Sequence, residues 1–462
     1  MAMGRRGNQQ RQEELWIAAR DIVETPGHAF YVKLEQLLVA HRFDQRVEHL
    51  CRRFYTGPLG QPSLPPVGQP SLPPGVYFRC LLIGFFEGLD SERGIAWRVA
   101  DSLSLRTFLG YGVDQRTPDH STISRTRRLL WTTTHQAVFR WVLLRLKAEG
   151  LLNGKTIGID ATTLEANAAM RSIVRRDTGA TYEAYLTTLA QAAGIAAPTR
   201  DDLRRFDRRR KKKGSNRDWR SPADPEARIT RMKDGRTHLA HKAEHAVDLS
   251  SGALLALTVQ AADLGDTTTV VETLRAADAN ATAAGLGPIE EAVLDKGYHS
   301  SAVLVGLRKA GVRSYVAEPR RKRRRWQGKG DEQRQVYANR RRLRGRRNAA
   351  LQAKRAELNE RSNAHLYETG GMRRVHLRGR ENILKRLLIQ GAGFNLGLLM
   401  RSRYGVGTPR GLQGRPTAAG RLRRAGSVLL GGLGTPLTRL ASTLARLRAW
   451  WRGPFTKRGS AP

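Results

Sequence analysis

Apolar positions cluster at helical spacing along residues 31–40 and 76–86, so the chain is expected to open on packed helices. Between them runs a direct repeat, Gly60-Gln-Pro-Ser-Leu-Pro-Pro66 followed by Gly68-Gln-Pro-Ser-Leu-Pro-Pro74. Proline has no N–H to give a helix or a sheet ladder, which makes residues 57–75 an extended linker. Ser91 stands where it can cap a helix over 91–100, and a glycine-containing turn is expected at 110–113. Thr117 then reads as an N-cap with Pro118 at the first helical position, opening a polar helix that carries Arg125, Arg127 and Arg128. Helix, tight turn and basic helix suit insertion into a major groove, and an ordinary helical hairpin fits the same pattern. Residues 1–150 are thus expected to be an all-α region, with DNA binding as its role.

From Thr156 the period changes from helical to alternating. Residues 156–160 read as a strand with Ile157 and Ile159 on one face and Asp160 on the other, at the strand's end. After a basic, polar insertion near 171–228, strand-like runs return at 238–249 and 253–260, joined by Ser250-Ser-Gly252 as a hairpin turn. An amphipathic helix over 267–277, a strand over 292–295, a helix over 301–309 and a strand over 312–317 complete the series. This order describes an α/β domain over 151–403, a mixed sheet flanked by helices. A second basic insertion, beginning with a disordered loop at 320–330, is expected near 320–347. A helix from about 348 stops at Gly370-Gly371, and an amphipathic one follows with Ile383, Leu384, Leu387, Leu388, Phe394 and Leu398 on one side. Beyond Tyr404 the chain is rich in Gly, Arg and Pro: a basic flexible tail over 404–462 with a short helix at 437–451.

Charge narrows the partner. There are 81 Lys+Arg against 41 Asp+Glu, a formal net charge of +40, spread along the whole chain. Such an excess points to a long nucleic acid, because each neutralised phosphate releases a counterion. The two cysteines, Cys51 and Cys80, exclude a disulfide framework and a zinc ribbon and are expected reduced in packed helices. No uninterrupted apolar run is long enough for a membrane span, and Met1-Ala-Met-Gly-Arg-Arg-Gly lacks the apolar run of a signal peptide. A cytoplasmic, nucleoid-associated protein with no membrane partner is the expectation.

Asp160 and Asp295 each close an apolar strand. Neighbouring strand ends can bring two carboxylates together, where like charges repel unless a cation sits between them. Hard oxygen ligands suit Mg²⁺, with Mn²⁺ as a substitute, and two such ions can activate a hydroxyl and stabilise a leaving oxygen in phosphodiester cleavage. A third carboxylate would complete the shell, and Glu357, Glu360 and Glu368 on the helix before Gly370 are the candidates.

Three blocks carry a resemblance. Gly158-Ile-Asp160-Ala-Thr, Leu294-Asp295-Lys-Gly-Tyr298 and Asn359-Glu360-Arg361-Ser-Asn-Ala-His-Leu366 resemble the acidic blocks of bacterial insertion-sequence DDE transposases, of the IS-four/IS-five-like superfamily. Gly371-Met-Arg373-Arg374-Val-His-Leu-Arg378-Gly379 follows the third block, and Pro118-Asp-His-Ser-Thr-Ile-Ser-Arg125 resembles a block of the N-terminal region in one branch. The resemblance runs from about Tyr31 to Arg403 in family order. It implies a ribonuclease-H-like catalytic fold in which Asp160, Asp295 and Glu360 are the catalytic, Mg²⁺-binding acids. It also implies double-stranded DNA, both element ends and target, as partner, and a homodimer or higher synaptic assembly. Arg361, Arg373, Arg374 and Arg378, with Arg125, Arg127 and Arg128, are the expected phosphate or base contacts. At position 363 the family usually has an aromatic residue and this chain has Asn363, which is expected to weaken packing of the Glu360 helix. That departure keeps open a second reading, a catalytically inactive DNA-binding relic or repressor. A basic RNA-binding protein is a third, and it leaves the three acids unexplained.

Asp248, Asp263 and Asp266 are expected to be cap or turn residues. Glu165 and Asp177 do not end apolar strands. His241 and His245 are expected to be packed or DNA-facing rather than metal ligands, and Tyr298 to flank the site or simply pack.

Overall fold

The computed structural model describes residues 27–55, 71–210, 214–232, 234–320 and 324–412. Most of the proline repeat, and the tail with its expected helix at 437–451, lie outside them. The chain divides into a unit through Pro409 and a second one from Arg410 onward.

The described residues open with seven helices: α1 (Ala29–Ala40), α2 (Phe43–Tyr55), α3 (Pro74–Glu87), α4 (Glu92–Ala100), α5 (Leu103–Phe108), α6 (His120–Leu129) and α7 (Thr132–Ala148). The last proline of the repeat, Pro74, opens α3, where its missing N–H has no helical partner to lose. Ser91 caps α4 as its sequence position implies, accepting from the Gly94 N–H at 3.2 Å. The helix with the three arginines starts later than expected. Its N-cap is Asp119, which accepts from the Thr122 N–H at 2.8 Å, and Thr117 and Pro118 lie outside it.

The α/β part is a six-stranded mixed sheet: β1 (Thr156–Glu165), β4 (Arg228–Arg231), β5 (Thr237–Asp248), β6 (Leu254–Ala261), β7 (Glu291–Leu294) and β8 (Arg313–Val316). Strands β1, β5 and β6 form an antiparallel meander. Strands β7 and β8 add in parallel on the other edge of β1, reached through α10 (Asp266–Ala283) and α11 (Ser301–Lys309). Parallel neighbours need such helical crossovers. The basic insertion folds as well: a two-stranded ribbon, β2 (Val174–Arg175) with β3 (Trp219–Arg220), and two helices, α8 (Tyr182–Ala192) and α9 (Arg200–Arg209). Ile173, Trp219, Ala227 and Leu239 give this part a core of its own.

Three helices finish the described chain: α12 (Gly330–Leu343), α13 (Arg346–Asn363) and α14 (Arg380–Tyr404). Much of the stretch expected as a basic insertion at 320–347 is therefore helix. Glu244 on β5 bonds to α10, and the next residue, His245, bonds to α13. Successive strand residues point to opposite faces, so α10 and α13 cover opposite sides of the sheet. Helix α14 is not amphipathic. Between Ile383 and Met400 it is buried almost all round, against β6 on one side and α3 and α7 on the other. By length and hydropathy it could cross a bilayer, but its burial is that of a core helix.

Candidate active site

The site is built from β1, β7 and α13. Parallel pairing of β1 with β7 matches Ile157 to Ala292 and Gly158 to Val293. Two residues further along each chain stand Asp160 and Asp295. Strands in a sheet lie about 4.8 Å apart, so the register brings these two carboxylates side by side. Asp160 does not end its strand, as the sequence implied. Strand β1 continues to Glu165 along β5, and Asp160 sits where the parallel partner β7 stops. The polar run Ala161-Thr-Thr hid this extension, because β7 has stopped there and the strand meets a partner on that side again at Glu165, in a parallel bridge to Arg374. Asp295 leaves β7 in a single turn, Lys296–Tyr298, its carboxylate accepting from the Gly297 N–H at 2.7 Å.

Helix α13 closes over β1. A Cβ at Gly158 would meet Arg355 Cγ and Leu249 Cδ2, each at 2.9 Å, so only glycine allows the helix this close. Ser362 shares a 2.8 Å hydrogen bond with His245 Nε2, and His245 is opposite Asp160 in the β1–β5 ladder. The next residue, Asn363, donates from Nδ2 to Asp160 Oδ2 at 3.2 Å. Position 363 is thus not an empty aromatic slot but a bond to the first acid. Beyond it the helix widens into a π-helical turn, Ala364–Thr369. Glu360 lies one helical turn before Asn363, exposed, and it pairs with none of the described residues. Glu357 pairs with Arg361, and Glu368 with Arg373.

Burial holds the Asp160 carboxyl above its ordinary range; the Arg355 guanidinium opposes this, and the Asp295 charge adds to it. The two aspartates thus form a partly desolvated pair of hard oxygen donors, a setting that a divalent cation would stabilise. Among the described residues, however, no three Asp, Glu, His or Cys side chains stand close enough together to hold a metal.

Behind the pair lies a network that the sequence reading missed. Glu244, opposite Ala161 on β5, is fully buried. It accepts from the Tyr298 hydroxyl at 2.9 Å, the Thr269 hydroxyl at 3.0 Å and the Thr273 hydroxyl. Burial pushes its carboxyl up, with the three hydroxyls and Lys242 acting against this. Lys242 pairs with Asp266 and donates to Thr269 Oγ1 at 2.9 Å. A Cβ at Gly297 would stand 2.5 Å from Asp266 Oδ2 and 3.1 Å from Asp295 Oδ1, so Asp266 flanks the turn that carries Asp295. Lys242 and Glu244 are charges inside a buried strand, and such charges are kept only when paired.

The histidines are packed, not exposed. His241 bonds to Asp224 at 2.9 Å with both side chains fully buried. Burial lowers His245 to about 4, which leaves it neutral. Asp248 holds the turn before β1, accepting from the Asn153 and Gly154 N–H groups at 2.7 and 3.1 Å.

The seven arginines divide. Arg125 and Arg128 are exposed on α6, whereas Arg127 is buried and paired with Glu92. A buried guanidinium with its own carboxylate is a core ion pair, so Arg127 is not available to DNA. Arg361 pairs with Glu357, and Arg373 pairs with Glu368 and reaches Thr162 Oγ1 at 3.0 Å. Arg374 and Arg378 are exposed, Arg374 standing 3.8 Å from Glu165.

No curated protein matches the chain. A family model described as a transposase domain (DUF772) matches residues 18–129, the stretch that includes α1 to α6. That match supports a transposase.

Proposed function

We propose that this chain is a DDE-type transposase that binds the terminal inverted repeats of an insertion sequence, cuts DNA at the ends and joins the freed 3′-hydroxyl to target DNA. The transposase-domain match supports the class. An antiparallel meander followed by two parallel strands, with β1 in the middle, is the arrangement expected of a ribonuclease-H-like unit.

The observation that carries the reading is the shared register of Asp160 and Asp295, with the Asn363 helix bonded to the first of them. Asp160 and Asp295 would hold Mg²⁺, and Glu360 would join them by turning its unpaired side chain inward. When bound, two such ions lower the pKa of an attacking hydroxyl and offset charge on the leaving oxygen. The chain's own part is to fix the two aspartates rigidly. The Gly297 N–H holds Asp295, and Asn363 holds one oxygen of Asp160. Attack forms one P–O bond and breaks another, so the chemistry needs no covalent protein–DNA intermediate.

Mg²⁺-dependent cleavage of duplexes bearing the element ends tests this. Asp160→Asn and Asp295→Asn keep shape and remove charge, so cleavage should fall by several orders of magnitude while DNA binding survives. Cleavage by Asp295→Asn at the parental rate would overturn the assignment. Binding by the unaltered chain with no cleavage would favour the relic or repressor.

A further inference from the structure

At the opposite end of β7 from Asp295 is a cleft that nothing above uses. It is a cavity of about 280 Å³ between α11, α12 and the starts of β7 and β8. It shares Arg308, Gln335 and Arg342 with an open groove of about 550 Å³ along α12, beside Arg334, Tyr337 and Arg341.

The charges in it do not cancel. Glu290 faces Lys155 at 3.3 Å. Glu291 is taken up by Arg347 at 2.6 Å, Arg313 at 3.4 Å and the Thr156 hydroxyl at 2.8 Å. Arg342 donates to the Ser314 carbonyl at 2.7 Å and its hydroxyl at 2.6 Å. No described carboxylate pairs with Arg308, Arg341 or Arg342. By contrast, Arg340 on α12 has Glu318 as its partner, and Arg380 has Glu226. Arg308, Arg313 and Arg342 line the cavity and Arg341 the adjoining groove, so these guanidinium groups are crowded together. Crowded cations in a concave wall, held in place and short of carboxylates, are a site for an anion.

The groove runs from the cavity along α12 past Arg341 and the exposed Tyr337, which suits an extended polyanion better than a single phosphate. We infer that the α11–α12 cleft binds the phosphodiester backbone of duplex DNA at a phosphate other than the scissile one presented to Asp160 and Asp295. Its ligand class rests on the transposase reading, while the cleft itself does not. Glu291 opens β7 and Asp295 follows its end, so the two places are roughly 13 Å apart at a rise of about 3.3 Å per residue. A phosphate seated in the cleft is therefore not the scissile one.

The test is the double variant Arg308→Gln/Arg341→Gln in the full chain. Both residues are exposed, and Arg342 is left alone because it anchors β8. Gel-shift affinity for a mixed-sequence duplex should fall about tenfold or more at physiological salt. The slope of log affinity against log salt should become shallower by roughly 0.9 for each of the two lost contacts. Cleavage at saturating DNA should be unchanged, and Asp295→Asn should keep the parental salt slope, so failure of the catalytic reading would leave this result intact. Parental affinity and slope in the double variant would overturn the inference. So would a loss confined to single-stranded RNA, or a loss of cleavage with binding intact.

Discussion

Asn363 donates one hydrogen bond to Asp160, and that bond opposes the burial that raises the acid's proton affinity. The family resemblance alone suggested a packing defect at this position; the geometry gives it an electrostatic role. Asn363→Leu keeps the size and removes the bond, so the Asp160 carboxyl should rise further. The acidic limb of the cleavage pH profile should then move to higher pH, with the plateau less affected. An unchanged limb in a pH–rate comparison would remove Asn363 from the site. Asp160 and Asp295 were legible because each closes or interrupts an apolar run. Glu244 and Lys242 were not, because a charge inside a strand looks like a solvent-facing position until its partners, distant in sequence, are known.

Periodicity located most elements, including the β5–β6 hairpin and the strand–helix–strand series after it. It failed where polar residues are buried. Helix α14 looked two-sided because Gln390 and Asn395 are polar, yet Gln390 bonds to the Gly370 carbonyl at 2.8 Å and Asn395 bonds both ways to Leu254 at 2.8 to 2.9 Å. The same error placed Arg127 among DNA contacts. Helix α6 now separates the two roles. Arg127→Ala strands Glu92 and should cost about 3–5 kcal/mol of stability, the loss typical of breaking a buried ion pair. Arg125→Ala and Arg128→Ala should change stability by no more than about 0.5 kcal/mol and weaken binding to end sequences. Denaturant unfolding and gel shifts on the three variants check this; equal stability in all three would contradict the buried pair.

Over the whole molecule, the sheet with its helices on both faces puts two acids in register inside a chain of net charge +40. In the proposed function Asp160 and Asp295 form a divalent-cation site. Asp160 has a raised pKa in the folded chain, so the fold binds a proton that the unfolded chain releases. Stability contributed by this group is therefore lost as pH rises from the ordinary carboxylate range through the raised value. Above that value the buried charge is a standing cost, and a bound cation would offset it. Thermal unfolding of the full chain at neutral to mildly alkaline pH, with and without Mg²⁺, measures this directly. With such a site, Mg²⁺ should raise the unfolding temperature of the parent. Without Mg²⁺, Asp160→Asn should unfold at a higher temperature than the parent, and neither Asp160→Asn nor Asp295→Asn should respond to the ion. A parent indifferent to Mg²⁺, or an Asp295→Asn variant stabilised by it as much as the parent, would contradict the claim.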